Sequence, residues 1–75
     1  MAIYRFYDAN KEPLMASDSF VYIDDRLTTY NKIEKALQQI KTLRNIKPNF
    51  KPIYIARFNH RSNPTNFIKL STIKL

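Results

Sequence analysis

The chain has 75 residues, 44% of them hydrophobic and 25% charged, a net charge of +7, and neither cysteine nor glycine. It is one domain near the lower size limit of independent folding, where only about 60% of the unfolded surface is buried. Its composition excludes disulfides, thiolate metal sites and glycine-built phosphate loops.

The first expected strand is Ile3-Tyr4-Arg5-Phe6-Tyr7, rich in aromatic and β-branched types. Asp8-Ala9-Asn10-Lys11-Glu12-Pro13 follows as a cluster of turn formers, so the chain reverses there. The return strand is read at Phe20-Val21-Tyr22-Ile23, with a separate short strand over residues 14–17 as an alternative or an addition. A helix comes next, because Ile33, Ala36, Leu37, Ile40 and Leu43 recur at helical spacing, with Tyr30 one turn earlier. Asn31-Lys32-Ile33-Glu34 fits a capping box, and Asp25 or Thr28 offers an alternative start. Pro48 ends the helix, by about Asn45. Residues 53–58 and 67–73 complete the set as two further strands around a polar loop. With no glycine, the seven Asn residues are expected at the left-handed turn positions. The order β-β-α-β-β predicts an α+β fold, an antiparallel sheet with one helix packed on one face.

Every one of these strands is apolar on both faces, whereas a half-solvated antiparallel sheet alternates between apolar and polar. One helix covers one face. The second face therefore predicts a homodimer, a protein partner or stacked bases, with Tyr4, Phe6, Tyr54 and Phe58 as candidate interface aromatics.

Charge is distributed unevenly. Residues 1–25 carry five acids against Arg5 and Lys11, while residues 35–75 carry nine Lys and Arg and no Asp or Glu. Such asymmetry points to a polyanionic or acidic partner. Lys47, Lys51, Arg57, His60 and Arg61 interleave with Phe50, Tyr54 and Phe58, which suits nucleic acid, since cations neutralise phosphates and rings stack on bases. Lys35 and Arg44 on the helix join this candidate contact set. Asp24 and Asp25 enter a helix and read as caps and dipole partners, so no metal site is assigned to them or to Asp18. A lone His60 with no indicated Ser-His-Asp spacing argues against an enzyme, and no cofactor or small-molecule substrate is expected. Residues 1–7 lack the basic start and long apolar core of a signal peptide, and no apolar run reaches the ~20 residues of a membrane span, so a cytoplasmic location is expected.

Ile3-Tyr4-Arg5-Phe6-Tyr7-Asp8-Ala9-Asn10, followed by Phe20 and Lys32-Ile33-Glu34-Lys35-Ala36-Leu37, resembles the strand-turn-strand-helix opening of arm-type DNA-binding domains of phage integrases. The resemblance covers about half the chain and implies DNA contact from basic residues on the sheet, although the hairpin here is acidic. The same opening resembles the first hairpin of GIY-YIG nucleases. There Leu14-Met15-Ala16 replaces the second signature tripeptide and both glycines are missing, so no nuclease activity is inferred. The topology also resembles that of tiny phage proteins that block host enzymes. The expected function is a small, non-enzymatic nucleic-acid-binding protein of phage or mobile-element style. The rival expectation is a protein-interaction module, an inhibitor or accessory subunit docking on an acidic surface.

Overall fold

A computed structural model describes residues 1–14, 19–59 and 61–70. The elements are β1 (Ala2–Tyr7), β2 (Phe20–Ile23), α1 (Thr29–Arg44), β3 (Tyr54–Arg57) and β4 (Ile68–Lys69). The fold is α+β, in the β-β-α-β-β order that the hydrophobic patterns predict, with the helix packed on one face of the sheet. The strands lie in the order β2-β1-β3-β4 and all neighbours are antiparallel. Because β2 and β3 both oppose β1, they run parallel to each other on either side of it. The helix makes the crossover between them, a split βαβ arrangement.

The first turn is built on Asp8. Its Oδ1 accepts the backbone N–H groups of Asn10 and Glu12 at 2.8 and 3.0 Å. The turn needs one left-handed residue, and Lys11 takes it at φ 61°. The expectation that Asn would fill such positions is corrected here, since Lys11 is the one positive-φ residue found among those described. Phe6 then donates its N–H to Ser19 O and accepts from Leu14 N–H. Leu14 and Ser19 thus both bond to Phe6 of β1. The alternative early strand over 14–17 lies, beyond Leu14, outside the described residues.

Thr28, not Asn31, caps the helix, its Oγ1 accepting from Asn31 N–H at 3.2 Å. A turn on Asp24 fixes this start: its carbonyl accepts from Leu27 N–H, and its carboxylate accepts from the backbone and side chain of Arg26. Asn45 ends the helix with its N–H on the Thr42 and Leu43 carbonyls. Ile33, Ala36, Ile40 and Leu43 are buried as their spacing predicts, whereas Tyr30 is 52% exposed and lies off the stripe.

The helix stripe packs on Ala2, Tyr4 and Phe6 of β1, Val21 and Ile23 of β2, and Ile55 of β3, with Phe50 and Leu70 closing the cluster. Phe6 is fully buried and meets Phe50 edge to face, with centroids 5.4 Å apart. Among the described residues no helix is long and apolar enough to cross a membrane.

Candidate functional site

A strand sends alternate side chains to opposite faces. Tyr4 and Phe6 go to the helix side, so Ile3, Arg5 and Tyr7 go to the other. Register then assembles the rest of the helix-free face. Ile3 lies opposite Tyr22, Arg5 sits between Phe20 on β2 and Ala56 on β3, and Tyr7 opposes Tyr54, which in turn opposes Lys69. Phe58 extends this face, its N–H bonded to Ile3 O.

The rings on this face form two groups. Phe20 and Phe58 meet edge to face at 5.4 Å, while Phe67 contacts Tyr7 at 5.0 Å and Tyr54 at 6.0 Å. Each group carries a cation. The Arg5 guanidinium lies over Phe20 with its carbon 5.1 Å from the ring centroid. Lys11 Nζ lies 5.6 Å from the Tyr54 centroid and 5.4 Å from that of Phe67. Lys11 thus combines a left-handed backbone with an ammonium placed over two rings. Arg5 Nε is shielded from solvent and has no hydrogen-bond partner among the described residues.

Residues 58, 59 and 61–67 stand beside this face and leave a cleft of about 390 Å³, lined by Arg5, Tyr7, Lys11, Phe58, Asn59 and Phe67 among others. Glu12, the one carboxylate lining it, is exposed at the rim. A neighbouring cleft of about 550 Å³ shares Phe58, Asn59, Ser62, Asn63 and Pro64 with it and adds Arg57, Thr65 and Asn66.

The contact set expected from charge alone does not converge. Lys35 is exposed on α1, on the other side of the sheet. Arg44 Nε donates to Phe50 O at 3.0 Å, so this guanidinium braces the segment after the helix. Lys47 and Lys51 are exposed there too, with Lys47 N–H bonded to Leu43 O. Arg57 stands at the register position opposite Tyr4, on the helix side, and its Nε is 3.2 Å from Asp25 Oδ2. Arg61 is exposed in the 58–67 loop, its N–H on Asn59 Oδ1, and His60 lies outside the described residues.

Two of the four expected interface aromatics are likewise corrected. Tyr4 and Phe6 belong to the core beneath the helix, 4% and 0% exposed, so a second subunit has no access to them. Tyr54 and Phe58 do lie on the helix-free face. Part of that face is covered by the chain itself, since Phe67 packs on Tyr7 and Tyr54. What stays open is the β2 side, where Tyr22 is 68% exposed.

Three of the described groups have displaced proton affinities, and one of them, Arg26, is raised by its side-chain hydrogen bond to Asp24. The Asp24 carboxyl is lowered to about 2, first by the hydrogen bond from the Arg26 side chain and then by that from its backbone. Burial raises Tyr4, helped by its hydrogen bond to Asp25 and opposed by Lys32. Lys32 Nζ lies 5.5 Å from the Tyr4 centroid. Among the described residues no group of three or more His, Asp or Glu stands close enough to hold a metal ion.

Sequence reasoning missed Arg5, Lys11, Phe20 and Phe67 as site residues. A basic residue inside an otherwise aromatic strand was the available signal for Arg5. No family model, curated protein or solved structure matches this chain.

Proposed function

We propose that this chain is a small nucleic-acid-binding protein that engages its ligand on the helix-free face of the sheet. The observation that carries the reading is the pairing of cations with rings on that face: Arg5 over Phe20, and Lys11 over Tyr54 and Phe67. Phosphates and bases alternate along a nucleic acid strand, and a surface that alternates cations and rings matches both. Lys69, by its register opposite Tyr54, and Arg61, in the bordering loop, extend the positive charge. The net charge of +7 favours approach of any polyanion. Lys35, Lys41 and Lys51 contribute to that field rather than to contact.

Binding followed across a salt series tests the reading. About four phosphates neutralised by this face correspond to a log–log slope of about −3 on a single strand or about −4 on a duplex. A flat slope, or no binding at low salt, transfers the weight to the second reading, a protein-interaction module. One observation favours that reading: β2 is an edge strand with Tyr22 exposed, and an open strand edge accepts a strand from a partner.

A further inference from the structure

Arg5 carries a shielded Nε without a hydrogen-bond partner among the described residues, on the helix-free face. Its guanidinium is held over Phe20, and its neighbour on β3 is the small Ala56. The shielded Nε is out of a ligand's reach, but a guanidinium that lines a cleft presents its outer donors to an oxyanion, which their fork fits. Arg5 lines the 390 Å³ cleft, and so does Lys11, whose ammonium lies over Tyr54 and Phe67. Two cations thus serve one cleft that is walled by Phe58 and Phe67.

The adjoining 550 Å³ cleft shares Phe58 and the amides of Asn59 and Asn63 with the first. It adds the Asn66 amide, Thr65 and the Arg57 guanidinium, whose Nε is 3.2 Å from Asp25 Oδ2. An amide offers donors and an acceptor together, the equipment needed at the edge of a base, whereas a phosphate needs donors alone. The two clefts share a wall of Phe58, Asn59, Ser62, Asn63 and Pro64. A phosphate site beside a base site, with a ring between them, repeats the chemistry of one nucleotide step.

Building on the nucleic-acid reading, we propose that the double cleft takes an unpaired segment of a single strand. A phosphodiester lies on Arg5 and Lys11, and a base lies against Phe58 with its edge toward the Asn63 and Asn66 amides. A base must be out of a duplex to lie on a ring, so paired nucleic acid does not fit this site.

Fluorescence anisotropy with labelled 12-nucleotide DNA, RNA of the same sequence, and the corresponding DNA duplex tests the proposal. Single strands are expected to bind about tenfold tighter than the duplex, and Arg5→Gln is expected to weaken single-strand binding about tenfold. Lys41→Gln removes the same charge from the helix, across the sheet, and is expected to change binding less than about threefold. If Arg5→Gln fails to fold by circular dichroism, Arg5→Lys decides, because it keeps the charge and loses the fork. The Arg5 Nε–H cross-peak in 1H–15N spectra is expected to move when the single strand is added. A preference for RNA assigns a role to the 2′-hydroxyl and a preference for DNA does not, and either supports the site. Duplex bound at least as tightly as single strand, with Arg5 variants indifferent, overturns this proposal and leaves nucleic-acid binding standing. No binding of any of the three polymers at low salt overturns both.

Discussion

Arg57 Nε and Asp25 Oδ2 are 3.2 Å apart, and the other oxygen of Asp25 accepts the Tyr4 hydroxyl at 2.7 Å. One carboxylate thus ties the end of β3 and the centre of β1 to the segment that enters the helix. Arg57 belongs to the contact set read from charge along the chain, in a stretch that holds no acid, and the carboxylate that pairs with it is 32 positions earlier.

The two partners of Asp25 are not equivalent. Arg57 is largely solvent-exposed, and exposed ion pairs contribute about 0–1 kcal/mol. Asp25→Ala also strips the buried Tyr4 hydroxyl of its acceptor, a loss of about 1–3 kcal/mol. Urea denaturation is expected to rank Asp25→Ala clearly below Arg57→Ala in stability. Equal effects would show that the Tyr4 bond carries no weight.

Alkaline pH should weaken the fold through Tyr4. Its folded affinity for the proton is raised above the ordinary value of 10.0, so the native state holds a proton that the unfolded state gives up first. This contribution is complete below pH 10 and is lost as pH rises through the higher folded value. Denaturation midpoints measured from pH 8 to 11.5 are expected to decline for the wild type and to decline less for Tyr4→Phe. Asp24 has the opposite sign. Its contribution is present above the ordinary 3.8 and disappears as pH falls toward about 2, which carboxyl NMR titration reads directly.

Lys11 separates stability from binding. At φ 61° a side chain costs about 1–2 kcal/mol that glycine avoids. Lys11→Gly and Lys11→Ala both lose the ammonium over Tyr54 and Phe67, so their difference isolates the backbone. The glycine variant is expected to be more stable by about 1 kcal/mol in thermal or urea melts. Both are expected to bind nucleic acid more weakly than the wild type, to the same extent.

Phe6 and Phe58 test the two sides of the sheet. Phe6→Ala empties a fully buried position and should cost about 3–5 kcal/mol, enough to abolish cooperative unfolding in a domain of this size. Phe58 is half-buried, and its edge contact with Phe20 contributes about 0.5–1.5 kcal/mol beyond area. Phe58→Ala is expected to retain a cooperative melt while losing affinity in the anisotropy assay.

The legible parts of this fold were those governed by local period. Ile33, Ala36, Ile40 and Leu43 announce a helix without reference to anything distant, and Phe20–Ile23 appears as a strand with the bounds it has. The helix start was ambiguous because Thr28 and Asn31 both satisfy a capping template, and the Asp24 turn that selects Thr28 is a matter of geometry. The candidate site is less legible in the sequence, because it depends on pairing between strands remote along the chain. Arg5 gains its meaning only when Phe20 and Ala56 flank it, and Arg57 gains a carboxylate partner only when Asp25 folds against it.

β1 occupies the middle of the sheet, and its two neighbours come from very different distances along the chain. β2 can reach it through a short excursion, but β3 must wait for the whole helix and the segment after it. Closing the longer loop is entropically dearer, so the β1–β2 hairpin and helix are expected to form before β3 docks. During that interval one side of β1 has free N–H and C=O groups beside Tyr4, Phe6 and Tyr7. A partly folded chain with such an edge can pair with another copy, so refolding yield should fall as protein concentration rises.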